Sequence, residues 1–570
     1  MKPSISRTAH VPGIGLASPP ISCAVRHGAK MRNRASLGAL AIVAPLLGVL
    51  LLFSHTRPAA ALDNGVARVP PMGWNHWNAF GCNVSETLVR QMADTIVANG
   101  MAAVGYQYVV VDDCWFDPNR DSAGNLRGHP TRFPSGMKAL GDYLHGKGLK
   151  FGIYQVPTDR TCAQRVGTYP GSTGSQGHEM QDARSFASWG VDYLKYDWCS
   201  SAGSIDEQVA RFALMRDALA ATGRPIVLSI NPNSFHAITG PSRNWGDVAN
   251  QWRTTEDITT AWDSGNTNSF PMGVRNIVAI NTLLSGYVAP GRFNDPDMLE
   301  VGNGGMTDTE MRTHFSMWAV MAAPLIAGND LRNASAATLT ILKNQALIEV
   351  NQDALGLPGV QIVNDGTRRV LAKRLSNGDV AVALFNQGNA TTTVSTTAAG
   401  VGKSGNSFSL RDLWTNAVTS TSGVISANVP AHGTVVFRLS GGATAAGTSL
   451  VSAASSRCLD DPMSATANGT QPIIWDCSGA TNQRWSIVGN TIRAFGKCLD
   501  APLNAGPGAA VVLWDCNGGT NQQWSFNNNG SVSGVASGLC LDVTGNNTGN
   551  GTAVGLWTCN AAANQRWSRM

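Results

Sequence analysis

The sequence predicts a multidomain chain: a (β/α)8 barrel, a small antiparallel β-domain of the sandwich type, and a C-terminal module made of three copies of one pattern. Three observations predict it. Short β-rich runs alternate with helical stretches from about residue 69 to residue 355. After Gly356 the pattern changes to short strands separated by Gly, Asn and Ser. Beyond residue 450 the chain repeats itself. At 570 residues it also exceeds what one hydrophobic core usually organises.

In the first domain, residues 62–355, a β-run at 108–111 is followed by a loop and a helix over 136–147. Further β-runs lie at 150–154, 191–196 and 226–230, with an amphipathic helix over 205–222. Alternation of this kind means parallel strands joined by helical crossovers. Its length suits a closed barrel better than an open sheet, and no GxGxxG follows the first strand. The second domain, 356–440, carries alternating strands at 369–375, 380–386 and 434–439, the signature of an antiparallel sheet. Residues 441–449 are Gly, Ala, Thr and Ser only and read as a flexible linker.

In residues 450–570, Cys458-Leu459-Asp460 leads to Trp475-Asp476-Cys477 and Asn482-Gln483-Arg484-Trp485. Cys498-Leu499-Asp500 leads likewise to Trp514-Asp515-Cys516 and Asn521-Gln522-Gln523-Trp524. The third copy runs from Cys540-Leu541-Asp542 through Trp557-Thr558-Cys559 to Asn564-Gln565-Arg566-Trp567. Such a period marks one structural unit stacked three times. The repeats resemble the ricin-type β-trefoil, carbohydrate-binding module family 13. The resemblance implies core positions for Trp485, Trp524 and Trp567. It implies sugar binding by Asp460, Asp500 and Asp542, by the stacking Trp475, Trp514 and Trp557, and by Asn482, Asn521 and Asn564. Ile473, Val512 and Gly555 stand where ricin-like sites often carry glutamine.

Apolar residues make up 43% and charged residues 14%, with a net charge of only +5. No basic stripe runs along a helical stretch, so composition gives a nucleic-acid partner little support. Residues 1–61 read as a leader: Arg32 and Arg34 precede an apolar run over 39–53, and Pro58-Ala59-Ala60-Ala61 offers the small residues that signal peptidase needs. Cleavage before Leu62, and hence secretion, is expected over an uncleaved anchor, and Met31 is a plausible true start. Of eleven cysteines, Cys23 would leave with the leader. Six of the rest pair by repeat: Cys458 with Cys477, Cys498 with Cys516, Cys540 with Cys559. No CxxC is present and histidines do not cluster near cysteines, so no metal site and no cofactor are expected.

Barrel enzymes keep their chemistry at the C-terminal ends of the strands, and here those ends are acidic: Asp112-Asp113, Asp197, Glu256-Asp257, and Asp295 with Asp297. A lone acid there is as often a helix cap or a turn; four acidic ends meeting at one mouth are harder to explain that way. They alternate with Trp74, Trp77, Trp115, Trp198 and Trp252, and with Lys195 and Arg253. Aromatic platforms beside carboxylates suit a sugar ring, and glycoside hydrolysis needs two carboxyl groups in different protonation states.

Six motifs, in order, are similar to glycoside hydrolase family 27, the family of α-galactosidases and α-N-acetylgalactosaminidases. They are Met72-Gly73-Trp74-Asn75, Asp112-Asp113-Cys114-Trp115, Gly152-Ile153-Tyr154, Tyr193-Leu194-Lys195-Tyr196-Asp197, Trp252-Arg253 with Asp257, and Asn294-Asp295-Pro296-Asp297-Met298. The resemblance implies that Asp197 is the nucleophile and Asp257 the general acid and then base. It places Asp112 and Asp113 on the 6- and 4-hydroxyls, makes Trp77 and Tyr154 the pocket walls, and gives sugar contacts to Lys195, Asn231, Arg253 and Asp297. It also implies bridges Cys82–Cys114 and Cys162–Cys199. Where many α-galactosidases read Cys-Glu-Trp after the fifth strand, this chain has Ile230-Asn231-Pro232-Asn233-Ser234, which bears on the sugar's 2-substituent. The expected partners are galactose-containing oligosaccharides or polysaccharides, with no nucleic acid and no membrane after leader removal. The resemblance implies a secreted, retaining exo-α-galactosidase; the alternatives are an α-N-acetylgalactosaminidase, a β-L-arabinopyranosidase, and a non-catalytic lectin on an inactive barrel.

Overall fold

The computed structural model describes residues 62–235, 239–444 and 447–570. The leader expected over residues 1–61 lies outside the described residues. Eight short strands form the barrel: β1 (Met72–Asn75), β2 (Tyr108–Val111), β3 (Lys150–Gln155), β4 (Val191–Asp197), β5 (Val227–Asn231), β6 (Gln251–Arg253), β7 (Phe293–Asp295) and β8 (Leu325–Ala327). All the pairings are parallel, in the order β7-β6-β5-β4-β3-β2-β1-β8. The ring closes where Leu299, just past β7, bridges Ala327. Side-chain alternation then sorts each strand. On β4, Leu194 and Tyr196 pack outward in the large apolar core shared with the helices. Tyr193 packs inward with Tyr108, Val110 and Val227, and Lys195 and Asp197 continue that inward face to the mouth.

The crossover helices start where side chains can take orphan N–H groups. Ser85 caps Glu86–Ala98, Ser204 caps Ile205–Ala221, and Thr307 with Glu310 forms a capping box on Asp308–Val320.

The second domain is antiparallel, with Val380–Asn386 paired between Arg368–Arg374 and Thr434–Ser440. Val380–Asn386 is buried throughout rather than half-exposed. The reason is that Ala381, Ala383 and Phe385 pack on the barrel core while Val380, Val382 and Leu384 form the sandwich core.

The third domain has the pseudo-threefold plan of the repeats. Trp485, Trp524 and Trp567 are buried together with Leu459, Leu499 and Leu541. Each indole N–H donates to the backbone carbonyl of the leucine in its own repeat, at 2.9, 2.9 and 3.0 Å.

Within residues 441–449, expected to be a flexible linker, described residues on either side make backbone pairings. Ala443–Thr444 pairs with Lys403–Ser404, and Thr448 exchanges two 2.8 Å backbone hydrogen bonds with Trp485. The trefoil is also seated on its neighbours. Val451, Cys458 and Met570 sit in the sandwich core. Ser568 Oγ lies 2.7 Å from Ser285 Oγ of the barrel, Gln361 Nε2 donates to Ser456 Oγ at 2.6 Å, and Arg484 donates to the Ala399 carbonyl at 3.0 Å. Backbone pairing holds Ala443–Thr444 and Thr448 despite their small side chains.

Five disulfides join Cys82–Cys114, Cys162–Cys199, Cys458–Cys477, Cys498–Cys516 and Cys540–Cys559. Among the described residues, no helix is long and apolar enough to cross a membrane.

Candidate active site

A cavity of about 400 Å3 opens at the C-terminal ends of the barrel strands, within the size range of small-molecule sites. Trp77, Asp112, Asp113, Tyr154, Lys195, Asp197, Arg253, Asp257 and Asp297 all line it. A larger cavity, about 580 Å3, lies between the three domains, but no acidic side chain lines it and it cannot supply an acid pair.

Lys195 and Asp112 set the floor. Lys195 Nζ donates to Asp112 Oδ2 at 2.8 Å, and Asn75 Nδ2 donates to the same oxygen at 2.6 Å. Burial works against the Asp112 carboxylate, yet the Lys195 charge and the hydrogen bonds from Lys195 and Asn75 hold its pKa below the ordinary carboxylate value. The Asp112 backbone N–H donates to His76 Nδ1 at 3.0 Å. That bond leaves the Nε2–H free to donate to the Gly81 carbonyl, so the ring is neutral; burial lowers its pKa to about 4. Asp113 accepts the N–H groups of Cys114 at 2.7 Å and Ala163 at 2.9 Å, and burial raises its pKa to about 7.

Asp197 ends β4, two residues past Lys195 and on the same face. It is 6% exposed, and among the described residues its Oδ1 finds no hydrogen-bond partner. Burial raises its pKa to about 6; Lys195 and Arg253 pull it down, while Asp112 and Asp257 push it up. The Tyr154 phenol, held neutral by burial and by Asp197, lies beside it, with Lys195 Nζ 5.5 Å from its ring centre.

The opposite wall is organised by Arg253, which forms an ion pair with Asp297 Oδ2 at 2.9 Å and donates to Asp257 Oδ1 at 3.1 Å and the Thr255 carbonyl at 3.0 Å. Asp297 is further fixed by the N–H groups of Ile258 and Met298, at 2.9 and 2.8 Å. Asp257 differs from Asp197 in position: its side chain is 55% exposed, out at the mouth.

Two expectations need correction. Asn231 does not line this cavity. Its side chain donates to Ser234 Oγ at 2.8 Å and faces a small interior void below, while Ser234 itself lines the cavity. Of the five tryptophans between the acids, only Trp77 is a wall; Trp74, Trp115, Trp198 and Trp252 are core. Trp115, Trp198 and Trp252 each adjoin an inward or mouth-facing residue, which turns them toward the helices.

Other wall residues gave little signal in the sequence. Glu300, buried and raised to about 7 by that burial, accepts from Asn78 and, at 2.7 Å, from Asn303. Its sign was the acidic run continuing past Asp297. Thr259, Thr260 and Phe270 come from the loop after β6 and had none.

In each trefoil repeat an aspartate accepts from both amides of the Asn-Gln pair: Asp460 from Asn482 and Gln483, Asp500 from Asn521 and Gln522, Asp542 from Asn564 and Gln565. Trp475, Trp514 and Trp557 are each about half exposed, at 45, 44 and 50%. The family-implied binding residues therefore divide into a fixed polar pair and a free indole face.

A parallel eight-stranded barrel with a carboxylate-rich pocket at its strand ends is an arrangement suited to glycoside hydrolysis, and its relatives make the chain a glycoside hydrolase. Residues 69–353 match the family model described as alpha galactosidase A, residues 365–439 its C-terminal beta sandwich domain, and residues 446–567 the ricin-type beta-trefoil lectin domain. An alpha-galactosidase of Cyamopsis tetragonoloba is 43% identical over 381 residues, covering 66% of this chain and 87% of that one. Alpha-galactosidase A of Cellvibrio japonicus is 42% identical, covering 72% of this chain and all of the relative. The crystal structure of alpha-galactosidase I from Mortierella vinacea superposes with a TM-score of 0.63 at 35% identity, covering 68% of this chain and all of that one. The chain belongs to the α-galactosidase family, glycoside hydrolase family 27.

Proposed function

We propose that this is a secreted, exo-acting α-galactosidase that releases terminal α-D-galactosyl residues with retention, through a covalent glycosyl-enzyme. The observation that carries the reading is the contrast between the two acids. Asp197 is buried deep in the pocket, while Asp257 stands half-exposed at the mouth. A terminal sugar held on Asp112 and Asp113 would present its anomeric carbon to Asp197 and its glycosidic oxygen to Asp257. In the first step a carboxylate oxygen of Asp197 bonds to the anomeric carbon, the glycosidic bond breaks, and Asp257 gives its proton to the departing oxygen. In the second, Asp257 takes a proton from water, whose oxygen attacks the same carbon and frees Asp197, leaving α-galactose. Lys195 and Arg253 oppose the effect of burial, which keeps the nucleophile ionised near neutral pH.

Floor residues buried at the end of a pocket, rather than along an open groove, support exo action. The five disulfides suit an exported protein. The trefoil would hold galactose-containing polymers on its three exposed indoles. Ser234 favours a second substrate: a small side chain in the loop expected to meet the 2-substituent leaves space for an acetamido group, so α-N-acetylgalactosaminides belong in the same assay. Asp112, suited to a 6-hydroxyl, disfavours arabinopyranosides. Proton NMR of the first-formed sugar tests the mechanism: α-galactose supports it, and β-galactose overturns retention. Nitrophenyl α-galactoside, N-acetyl-α-galactosaminide and β-L-arabinopyranoside, compared side by side, test the sugar preference.

A further inference from the structure

Phe270 is one of the most exposed aromatic side chains described, at 66%, and it lines the active-site cavity. It stands on the loop between β6 and the helix Val274–Asn281, the loop that also supplies Asp257, Thr259 and Thr260 to the cavity. This loop is stitched to the segment bearing Asp257. Met272 N–H donates to the Asp257 carbonyl at 3.1 Å, and Thr259 N–H donates to the Met272 carbonyl at 2.8 Å. Glu256 N–H donates to the side chain of buried Asn268 at 2.9 Å, and Asn266 Nδ2 donates to the Pro271 carbonyl at 2.7 Å. An exposed phenyl ring on a backbone so tied down is a preformed surface, fixed relative to the acid/base residue.

On the reading above, Asp257 protonates the glycosidic oxygen, so the leaving group must lie on the Asp257 side of the pocket. We propose that Phe270 is the stacking platform of a leaving-group subsite, taking the apolar face of the sugar ring to which galactose is attached. The ligand is then a pyranose unit, with Thr259 and Thr260 as the neighbouring polar contacts. Ring-face stacking contributes modestly, and it acts only while a ring occupies the leaving-group position.

The test compares two substrates in wild type, Phe270→Ala and Phe270→Trp. One substrate is an α-galactosyl disaccharide, whose leaving group is a hexose; the other is α-galactosyl fluoride, whose leaving group has no ring. For Phe270→Ala the ratio of kcat/KM, disaccharide over fluoride, is expected to fall about three- to ten-fold, with Phe270→Trp restoring it. Transfer of galactose to added sugar acceptors, relative to water, should fall by a similar factor. An unchanged ratio, or an equal loss on both substrates, overturns the subsite. If the wild type fails to turn over α-galactosyl fluoride, the fault lies instead with the α-galactosidase reading on which this proposal rests.

Discussion

Replacing Lys195 by methionine removes the positive charge that faces both Asp112 and Asp197 while keeping much of the side-chain volume. After burial, Lys195 is the largest influence on the Asp197 carboxyl, and it acts to lower a pKa that stands at about 6. An opposite charge nearby is worth about one to three pKa units, so its loss should move Asp197 from about 6 to between about 7 and about 9. The sign follows from the chemistry. The nucleophile works as the anion, so the acid limb of kcat/KM moves upward, and at pH 5 the variant loses about ten- to a thousand-fold beyond any pH-independent loss of sugar binding. The assay is kcat/KM between pH 4 and pH 9 on α-galactosyl fluoride, whose leaving group needs no proton from Asp257. That parameter reports on the free enzyme. Folding is checked by circular dichroism and melting, because Asp112 loses its ion-pair partner. An acid limb that stays near 6 in a folded variant would refute the assignment of Lys195 as the charge that keeps Asp197 ionised.

Asp197→Ala and Asp257→Ala should each lose nearly all turnover while remaining folded, and azide should partly rescue the first as a galactosyl azide of inverted configuration; near-normal rates in Asp197→Ala would end the nucleophile assignment. Arg120 pairs with both oxygens of fully buried Asp182, at 2.7 and 2.8 Å. Arg120→Met should therefore cost about 3–5 kcal/mol in denaturant melts, and adding Asp182→Leu should recover much of it; a loss well under 1 kcal/mol would show that the pair is dispensable. Deleting residues 448–570 should lower the melting temperature and raise binding of a hydrophobic dye, because Val451, Cys458 and Met570 leave the sandwich core; an unchanged melt would show that the seat is not structural.

The barrel was legible because alternation repeats. Strands spaced by helices leave a periodic trace: β2 falls on the residues that the pattern marks, and β3, β4 and β5 lie within one residue of them. The acids were legible because carboxylates at strand ends are rare enough to stand out. Side-chain direction was not. Asn231 ends β5 with its amide turned to Ser234, a choice made by a hydrogen bond three residues away. The buried tryptophans were misread for a related reason: composition counts indoles, but only the alternation of a strand already placed in three dimensions says which way each one faces. Ala443–Thr444 and Thr448 show the opposite case. Their small side chains carry no pattern, and their pairing comes from partners elsewhere in the chain, Lys403–Ser404 and Trp485.

A seated trefoil is a gauge where a tethered one would be a leash. A leash would let the barrel sweep a volume around whatever the module grips, with reach set by the linker's length. With Ser568 against Ser285 and Ser456 against Gln361, the vector from each exposed indole to the pocket mouth is set by the fold. On the proposed reading, in which the trefoil holds sugar, branches would be cut at fixed offsets from the held sugar, and once those are gone the enzyme would have to release and land again. Trimming of a branched polymer should accordingly proceed in patches spaced by that offset, a pattern that a linker would blur.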